Sequence, residues 1–463
     1  MFAFPKLQPL AKKSVTLSDF KGLDRRSFAE KDTISESVNM SVHACPYFAT
    51  RRGRRWMLSL SSGEKITGIF NLDKVYLTSE VNGIPRLYYG NDFSSMSCIF
   101  EGIETDVPTS MICKFNNQIC IFNLNLSGSE TLLVASVTAM DSPTRFTVPI
   151  FNDVVVYDNR IFGCRLRQIR SCANGDVSDW NIYSEREDTE NRAFYKTFET
   201  KSEFTACITY KNQALFFTKD EMYELCGNDS NSYNLVKVAG FGCLNRFSVC
   251  ELKGVLYFIS KEGVVKYNGN KLSVISSALC DRCTNFETAL IAAAGDNIYV
   301  NYKGKNGRSL YCYNTQNGYW AREDDFNGVC GVGFDGDVYF ANSDCVYRLN
   351  ESYTESLSPN NDGREFNWKM TTQDIYRCDP DKKHGSKIEL YAYQPIISIM
   401  EVYVSYDGGD FELVSVLDID GGKAVCIPLR KTDYQRLKIK IIGWGEAEIH
   451  YIIQSYLVGG GCK

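Results

Sequence analysis

Lys253-Gly254-Val255-Leu256-Tyr257-Phe258-Ile259, followed by Glu262-Gly263-Val264-Val265-Lys266-Tyr267, decides how this chain is read. A polar two-residue turn opens a short run of branched and aromatic residues, and a second tight turn leads into another such run. Runs of roughly 4–8 residues bounded by Gly, Asn, Asp or Lys are strand signals. The same unit recurs at Lys211-Asn212-Gln213-Ala214-Leu215-Phe216-Phe217, at Gly295-Asp296-Asn297-Ile298-Tyr299-Val300 and at Asp335-Gly336-Asp337-Val338-Tyr339-Phe340. Second strands follow at Asp220-Glu221-Met222-Tyr223-Glu224-Leu225 and Asp344-Cys345-Val346-Tyr347-Arg348-Leu349. A spacing of about 40 residues is the blade length of β-propellers.

Working outward, about five copies are visible between residues 110 and 350, and one or two weaker ones precede them, judged by that period. No long stretch carries apolar residues at helical spacing; short helical turns are expected only near Pro143 and over Thr284–Thr288. A four-stranded sheet leaves two edges and a sticky face exposed, and packing such sheets radially covers the faces. The expectation is therefore an all-β chain with a six- or seven-bladed β-propeller. A stack of β-sandwiches is the alternative that the strand content alone leaves open.

Residues 1–60 read as an N-terminal arm with the first strands, 61–351 as the blades, and the polar stretch 352–366 as a linker. A separate β pattern then fills 367–463, with strands expected at 387–392, 398–405, 423–428, 437–442 and 448–457. It predicts a C-terminal antiparallel β-sandwich. Within it, Asp407-Gly408 is a hairpin turn, because Gly supplies the positive φ that such a turn needs.

Composition narrows the function. Hydrophobic residues make up 44% and charged residues 23%, which is ordinary globular material. Aromatic residues reach 13%, favouring half-buried pleated surfaces. The net charge of −5 provides no broad positive field for nucleic acid. The 18 cysteines are scattered; the one close pair is Cys280 and Cys283, and His occurs only at 43, 384 and 450. That set does not match zinc-ligand spacing, and no phosphate-cradling glycine motif occurs, so no cofactor or metal is expected. No run spans a bilayer, and the N-terminus lacks a basic-then-apolar leader, which predicts synthesis in a cytoplasm with reduced thiols. His43 and His384 read as surface histidines. The acidic groups Glu323/Asp324/Asp325 and Glu187/Asp188 lack any surrounding motif for a glycosidase pair, so an enzyme is not expected.

Arg51-Arg52-Gly53-Arg54-Arg55 is the one dense basic cluster. Arg51, Arg52, Arg54 and Arg55 are candidates for contact with an acidic neighbouring subunit or for protecting a strand edge, ahead of DNA binding.

Three stretches carry a resemblance. The first is Phe20-Lys21-Gly22-Leu23-Asp24 with Ser37-Val38-Asn39-Met40 and Ala49-Thr50-Arg51-Arg52-Gly53-Arg54-Arg55. The second is Arg160-Ile161-Phe162-Gly163 leading to Gly175-Asp176-Val177-Ser178-Asp179-Trp180. The third runs from Phe216-Phe217 through Leu225-Cys226-Gly227 and Gly242-Cys243-Leu244-Asn245-Arg246-Phe247-Ser248-Val249 to Gly263-Val264. In this order they resemble the β-propeller tail proteins of tailed bacteriophages, the nozzle or packaged-DNA stabilisation family of short-tailed phages. Leu23 stands where that pattern has a second Gly, and Val177 where Pro is common. The resemblance implies a virion structural protein, made in the host bacterial cytoplasm. Copies would form a homo-oligomeric ring that extends the tail channel, retains DNA and docks fibres, adaptor or plug. In such a ring, Asp324 and Asp325 are candidates for a lumen past which DNA slides without sequence-specific binding. The alternative is a carbohydrate-binding adhesin using Trp320, Trp368 or Trp444 as a stacking platform for host-surface glycan.

Overall fold

The computed structural model describes residues 11–104, 110–127, 130–136, 143–183, 189–280, 285–305, 307–351, 360–361, 364–375, 382–430 and 433–458. Glu187, Asp188, Cys283 and most of the 352–366 stretch lie outside them.

The chain is all-β, and its body is a seven-bladed propeller. Blade 1 begins with Lys65–Asn71, blade 2 with Met111–Phe115, blade 3 with Asp153–Tyr157 and blade 4 with Phe204–Tyr210; Val249–Leu252, Asn285–Ala294 and Cys330–Phe334 open blades 5, 6 and 7. Six blades therefore begin after residue 110, one more than the repeats legible there. No α-helix occurs among the described residues. The helical turns expected near Pro143 and over Thr284–Thr288 are, for the described residues, the strands Thr144–Phe146 and Asn285–Ala294, while short 3-10 turns form at Thr189–Asn191, Arg246–Ser248 and Ser276–Leu279.

The hairpins follow from local chemistry. Between the first and second strands, Asn116-Asn117, Asp158-Asn159, Lys211-Asn212, Lys253-Gly254 and Asp335-Gly336 all have both residues at positive φ. Two-residue turns with that geometry match the right-handed twist of the flanking strands, and Asn, Asp and Gly tolerate it best. The blades then pack face to face through rows such as Phe162 and Phe216, or Phe217 and Phe258, whose side chains are fully buried.

Ring closure comes from the far end of the chain. Gly53–Ser59 is the outer strand of blade 7, antiparallel to Cys345–Glu351 from Cys345↔Ser59 to Glu351↔Gly53. This removes the open edges that separate blades would present. Asn360–Asn361 continues the same sheet in parallel with the closing strand, at Asn361↔Arg54, so part of the expected linker is paired backbone.

The second unit is one nine-stranded sheet, and it takes strands from both ends of the chain. Ile34–Val38 pairs with Asn367–Thr372, Ala11–Leu17 with Glu448–Val458, and Phe48–Thr50 with both Met40–Ser41 and Glu448–Val458. The segment read as an N-terminal arm thus supplies strands to the C-terminal sheet and closes the propeller. The expected strands at 387–392 and 398–405 are one bent strand, Lys383–Tyr406; its first half pairs with Glu448–Val458 and its second with Leu437–Trp444. One continuous core, containing Phe20, Phe48, Trp368, Met400 and Ile441, fills the curved sheet. His384 lies on the bent strand, its Nδ1 2.6 Å from Asp433 Oδ1. At its hairpin end, Asp407 and Gly408 adopt positive φ, as expected.

Candidate functional site

The basic cluster and the acidic cluster read from the sequence meet each other. Arg54 opens the strand that closes blade 7, and Glu323 and Asp324 follow the last strand of blade 6, Tyr319–Arg322. Arg54 Nη1 donates to Asp324 Oδ2 at 2.7 Å, and its Nη2 donates to Glu323 Oε2 at 2.8 Å and Asp324 Oδ1 at 3.0 Å. Arg51 Nη2 lies 3.6 Å from Asp324 Oδ2, and its guanidinium stacks 4.0 Å from the Phe366 ring centre.

Burial opposes the Arg54 charge, but the Asp324 and Glu323 carboxylates outweigh it and hold the guanidinium above its ordinary pKa. Burial likewise raises Asp324, but Arg54 and Arg51 win and hold its carboxyl below the usual range. The pairing is intramolecular and largely desolvated. Of the four candidate arginines, Arg51 and Arg54 are therefore not surface groups for a neighbouring subunit, whereas Arg52 and Arg55 are exposed. Asp324 does not present a free charge to a lumen, because two arginines of its own chain neutralise it. Asp325 is exposed and paired with Arg322.

The second sheet is tied in at the same place. Asn39, at φ 56, accepts from Arg51 Nε through Oδ1 at 2.8 Å and donates Nδ2 to Asn367 O at 2.7 Å. Its backbone N–H donates to Glu323 O at 2.5 Å. Gly22 sits at φ +74, and a Cβ there would stand 2.5 Å from Trp320 O; next to it, Leu23 N donates to that same oxygen at 2.6 Å. Gly22, Asn39, Arg51 and Arg54 come from the three N-terminal pieces of sequence that carry the resemblance. The fold brings all of them to one junction beside Trp320, Glu323 and Asp324.

The mid-chain pieces are also structural. Gly163 has no Cβ because the Phe151 ring would be 2.3 Å from it, and Phe151 packs on Trp180 at 5.1 Å between ring centres. Ser248 and Asn245 form a reciprocal capping box that sets the entry to blade 5.

The remaining candidates resolve simply. His43 is half-buried, and burial beside Arg52 pushes its imidazole down to about 4. The described cysteines form no disulfide, and burial raises the thiols of Cys243 and Cys330 to about 12. Such thiols stay protonated and inert. Among the described residues no cluster of His, Cys, Asp or Glu is placed to hold a metal ion, and no helix is long and apolar enough to cross a membrane. Trp320 and Trp368 are core residues and cannot stack on sugar; Trp444 alone of the three reaches solvent.

One surface feature was not read from the sequence. Among the described residues, Glu412–Pro428 pairs only with Lys383–Tyr406, so a 17-residue strand runs along a sheet edge that no other described strand covers. Leu413 and Val416 on it, and Ile399 beside it, are 52%, 56% and 52% exposed, with Tyr403 and Phe411 flanking Lys440 nearby. Alternation along this strand is broken by a bulge at Val414, opposite Val402–Tyr403, which hides the pattern from a sequence reading.

No family model matches the sequence, and no curated protein matches it. Among solved structures, the chain is similar to a catalytically inactive virginiamycin B lyase from Staphylococcus aureus with quinupristin. The identity is 12% and the TM-score 0.45, over 64% of this chain and 98% of the lyase. It is also similar to the extracellular domain of a hybrid two component system from B. thetaiotaomicron, at 10% identity and a TM-score of 0.44, over 72% of this chain and 42% of that one.

Proposed function

We propose that the protein is a structural component of a bacteriophage tail, a nozzle or tail-tip subunit whose copies associate side by side into a ring. The observation that carries this reading is the Glu412–Pro428 edge, unpaired on its outer side among the described residues, with Leu413 and Val416 exposed on it and Ile399 beside it. A long unpaired strand with apolar side chains is a template for another chain, and monomeric proteins normally blunt such edges. Repeated heterologous contacts of this kind close into rings when the rotation permits. The ordered set of sequence motifs supports the same reading, since those residues build the rigid join between propeller and sheet that a load-transmitting subunit requires. In this role the ring extends the tail channel, holds DNA until ejection and docks fibres, and the chain acts without turning over a substrate.

Sedimentation of the purified protein tests it. The expected result is a discrete closed oligomer that dissociates in the Leu413→Lys/Val416→Lys double variant. A wild-type protein that stays monomeric at high concentration overturns it. The glycan-binding alternative retains one of its three tryptophans, and no contact geometry favours it.

A further inference from the structure

Among the described residues, the sheet that carries the Glu412–Pro428 edge has another edge that no strand covers. Ala11–Leu17 pairs along its whole length with Glu448–Val458, from Ala11↔Val458 to Leu17↔Ile452, and with no other described strand. Glu448–Val458 pairs in turn with the first half of Lys383–Tyr406, and Lys383–Tyr406 pairs with Glu412–Pro428. Three successive antiparallel pairings therefore lead from one edge to the other. The outer side of an edge strand presents backbone N–H and C=O groups that another strand can take up.

Each of those pairings reverses direction, so Ala11–Leu17 and Glu412–Pro428 run opposite ways. A second copy whose strands run in the same sense can lay its Ala11–Leu17 antiparallel to Glu412–Pro428 of the first, and the sheet then continues across the boundary between copies.

The two edges differ in charge. Ala11–Leu17 carries exposed Lys12 and Lys13 and no acidic residue. The 412–420 stretch of the other edge carries exposed Glu412, Asp418 and Asp420 and no basic residue. Leu17, Leu417 and Ile419 point into the core, so alternation places Lys12, Ser14 and Thr16 on the same outer face as Val416, Asp418 and Asp420. Opposite charges facing each other across a strand pair are favourable, and like charges are unfavourable. Two copies of the acidic edge repel, as do two copies of the basic one, while the unlike edges attract. Edge lysines discourage a strand from pairing with itself, and here they leave an acidic edge as the suitable partner.

We infer that Ala11–Leu17 of one copy adds as a strand to the 412–420 stretch of the next, with Lys12 beside Asp418 and Asp420. The inference rests on the ring assembly proposed above and names the surface that meets the exposed edge. The contact joins two different surfaces, so every copy still offers one edge of each kind after it has bound a neighbour. Heterologous contacts of this sort propagate and close into a ring, whereas a contact of one edge with its own like stops at two copies.

Sedimentation of the full chain and its variants at low ionic strength, where surface charges are least screened, tests this. Lys12→Glu/Lys13→Glu is expected to weaken self-association by about tenfold or more, because opposed cross-strand charges become like ones. Asp418→Lys/Asp420→Lys weakens it similarly, and combining all four substitutions restores it, a rescue that misfolding would not give. Carbodiimide coupling of the wild type supplies an independent reading. Amide links are expected between Lys12 or Lys13 and Asp418 or Asp420. Within one chain the two edges stand at least three strand spacings apart, roughly 14 Å, so such a link joins two copies. Wild-type oligomers that persist unchanged in Lys12→Glu/Lys13→Glu, or that show no coupling between the two edges, overturn the inference and leave the ring reading standing. A fourfold variant that does not recover association also overturns it. A monomeric wild type overturns the ring reading and the inference together.

Discussion

Arg54 Nη2 donates to Glu323 Oε2 at 2.8 Å across 269 residues of sequence, and both side chains are almost wholly buried. That bond joins the strand that closes blade 7 to the end of blade 6. With Asp324, Arg51 and Asn39 it also fastens the second sheet to the propeller. Burying charge is unfavourable unless partner and geometry are both good, so the set stands or falls together.

Removing one partner therefore costs more than removing all. Arg54→Met leaves Glu323 buried without a counter-charge and is expected to destabilise the protein by about 3–5 kcal/mol. Adding Glu323→Gln and Asp324→Asn to Arg54→Met recovers much of that loss. Chemical denaturation of the single and triple variants checks the order, and equal stabilities would show that the cluster is not coupled.

Acid weakens the fold in two separate windows. Burial beside Arg52 holds the folded-state pKa of His43 down at about 4, against an ordinary value of 6.5. The unfolded chain thus binds the extra proton as pH falls from 6.5 to about 4, and stability drops across that interval. Asp324 is depressed by Arg54 and Arg51 against its burial, so its contribution is present above the ordinary carboxylate pKa and is lost at lower pH, as the folded group protonates. His43→Gln should flatten the first slope and leave the second; stability measured from pH 7 to 3 separates them.

Gly22 is held at φ +74 with Trp320 O where a Cβ would be. Gly22→Ala is expected to cost about 2 kcal/mol or more, since the left-handed backbone alone costs an alanine about 1–2 kcal/mol and the carbonyl must also shift. The loss should appear in calorimetry as a lower melting temperature. An unchanged value would mean the junction relaxes freely.

The free edge behaves in the opposite way. Leu413 and Val416 are more than half exposed, so lysine at either position should change monomer stability by less than about 0.5 kcal/mol while abolishing self-association. Loss of both properties together would mark these residues as core rather than interface.

The hairpins were legible because their information is local. Lys211-Asn212, Lys253-Gly254 and Asp335-Gly336 announce turns by residue type, and the aromatic runs between them announce strands. What escaped was long-range pairing. Nothing in Gly53–Ser59 or Ala11–Leu17 states that its partner lies some hundreds of residues away, because register between distant strands is set by complementary faces and not by any local pattern. The same limit explains the sites. Both charge clusters were visible, but reading each alone gave Arg51, Arg54 and Asp324 surface roles when they are one another's partners.

Electron microscopy of the purified protein tests the central claim most directly, that copies of this chain assemble side by side. The account predicts closed rings with a central pore, absent from the Leu413→Lys/Val416→Lys variant. A field of single propeller-sized particles at concentrations where the wild-type fold is intact would contradict it.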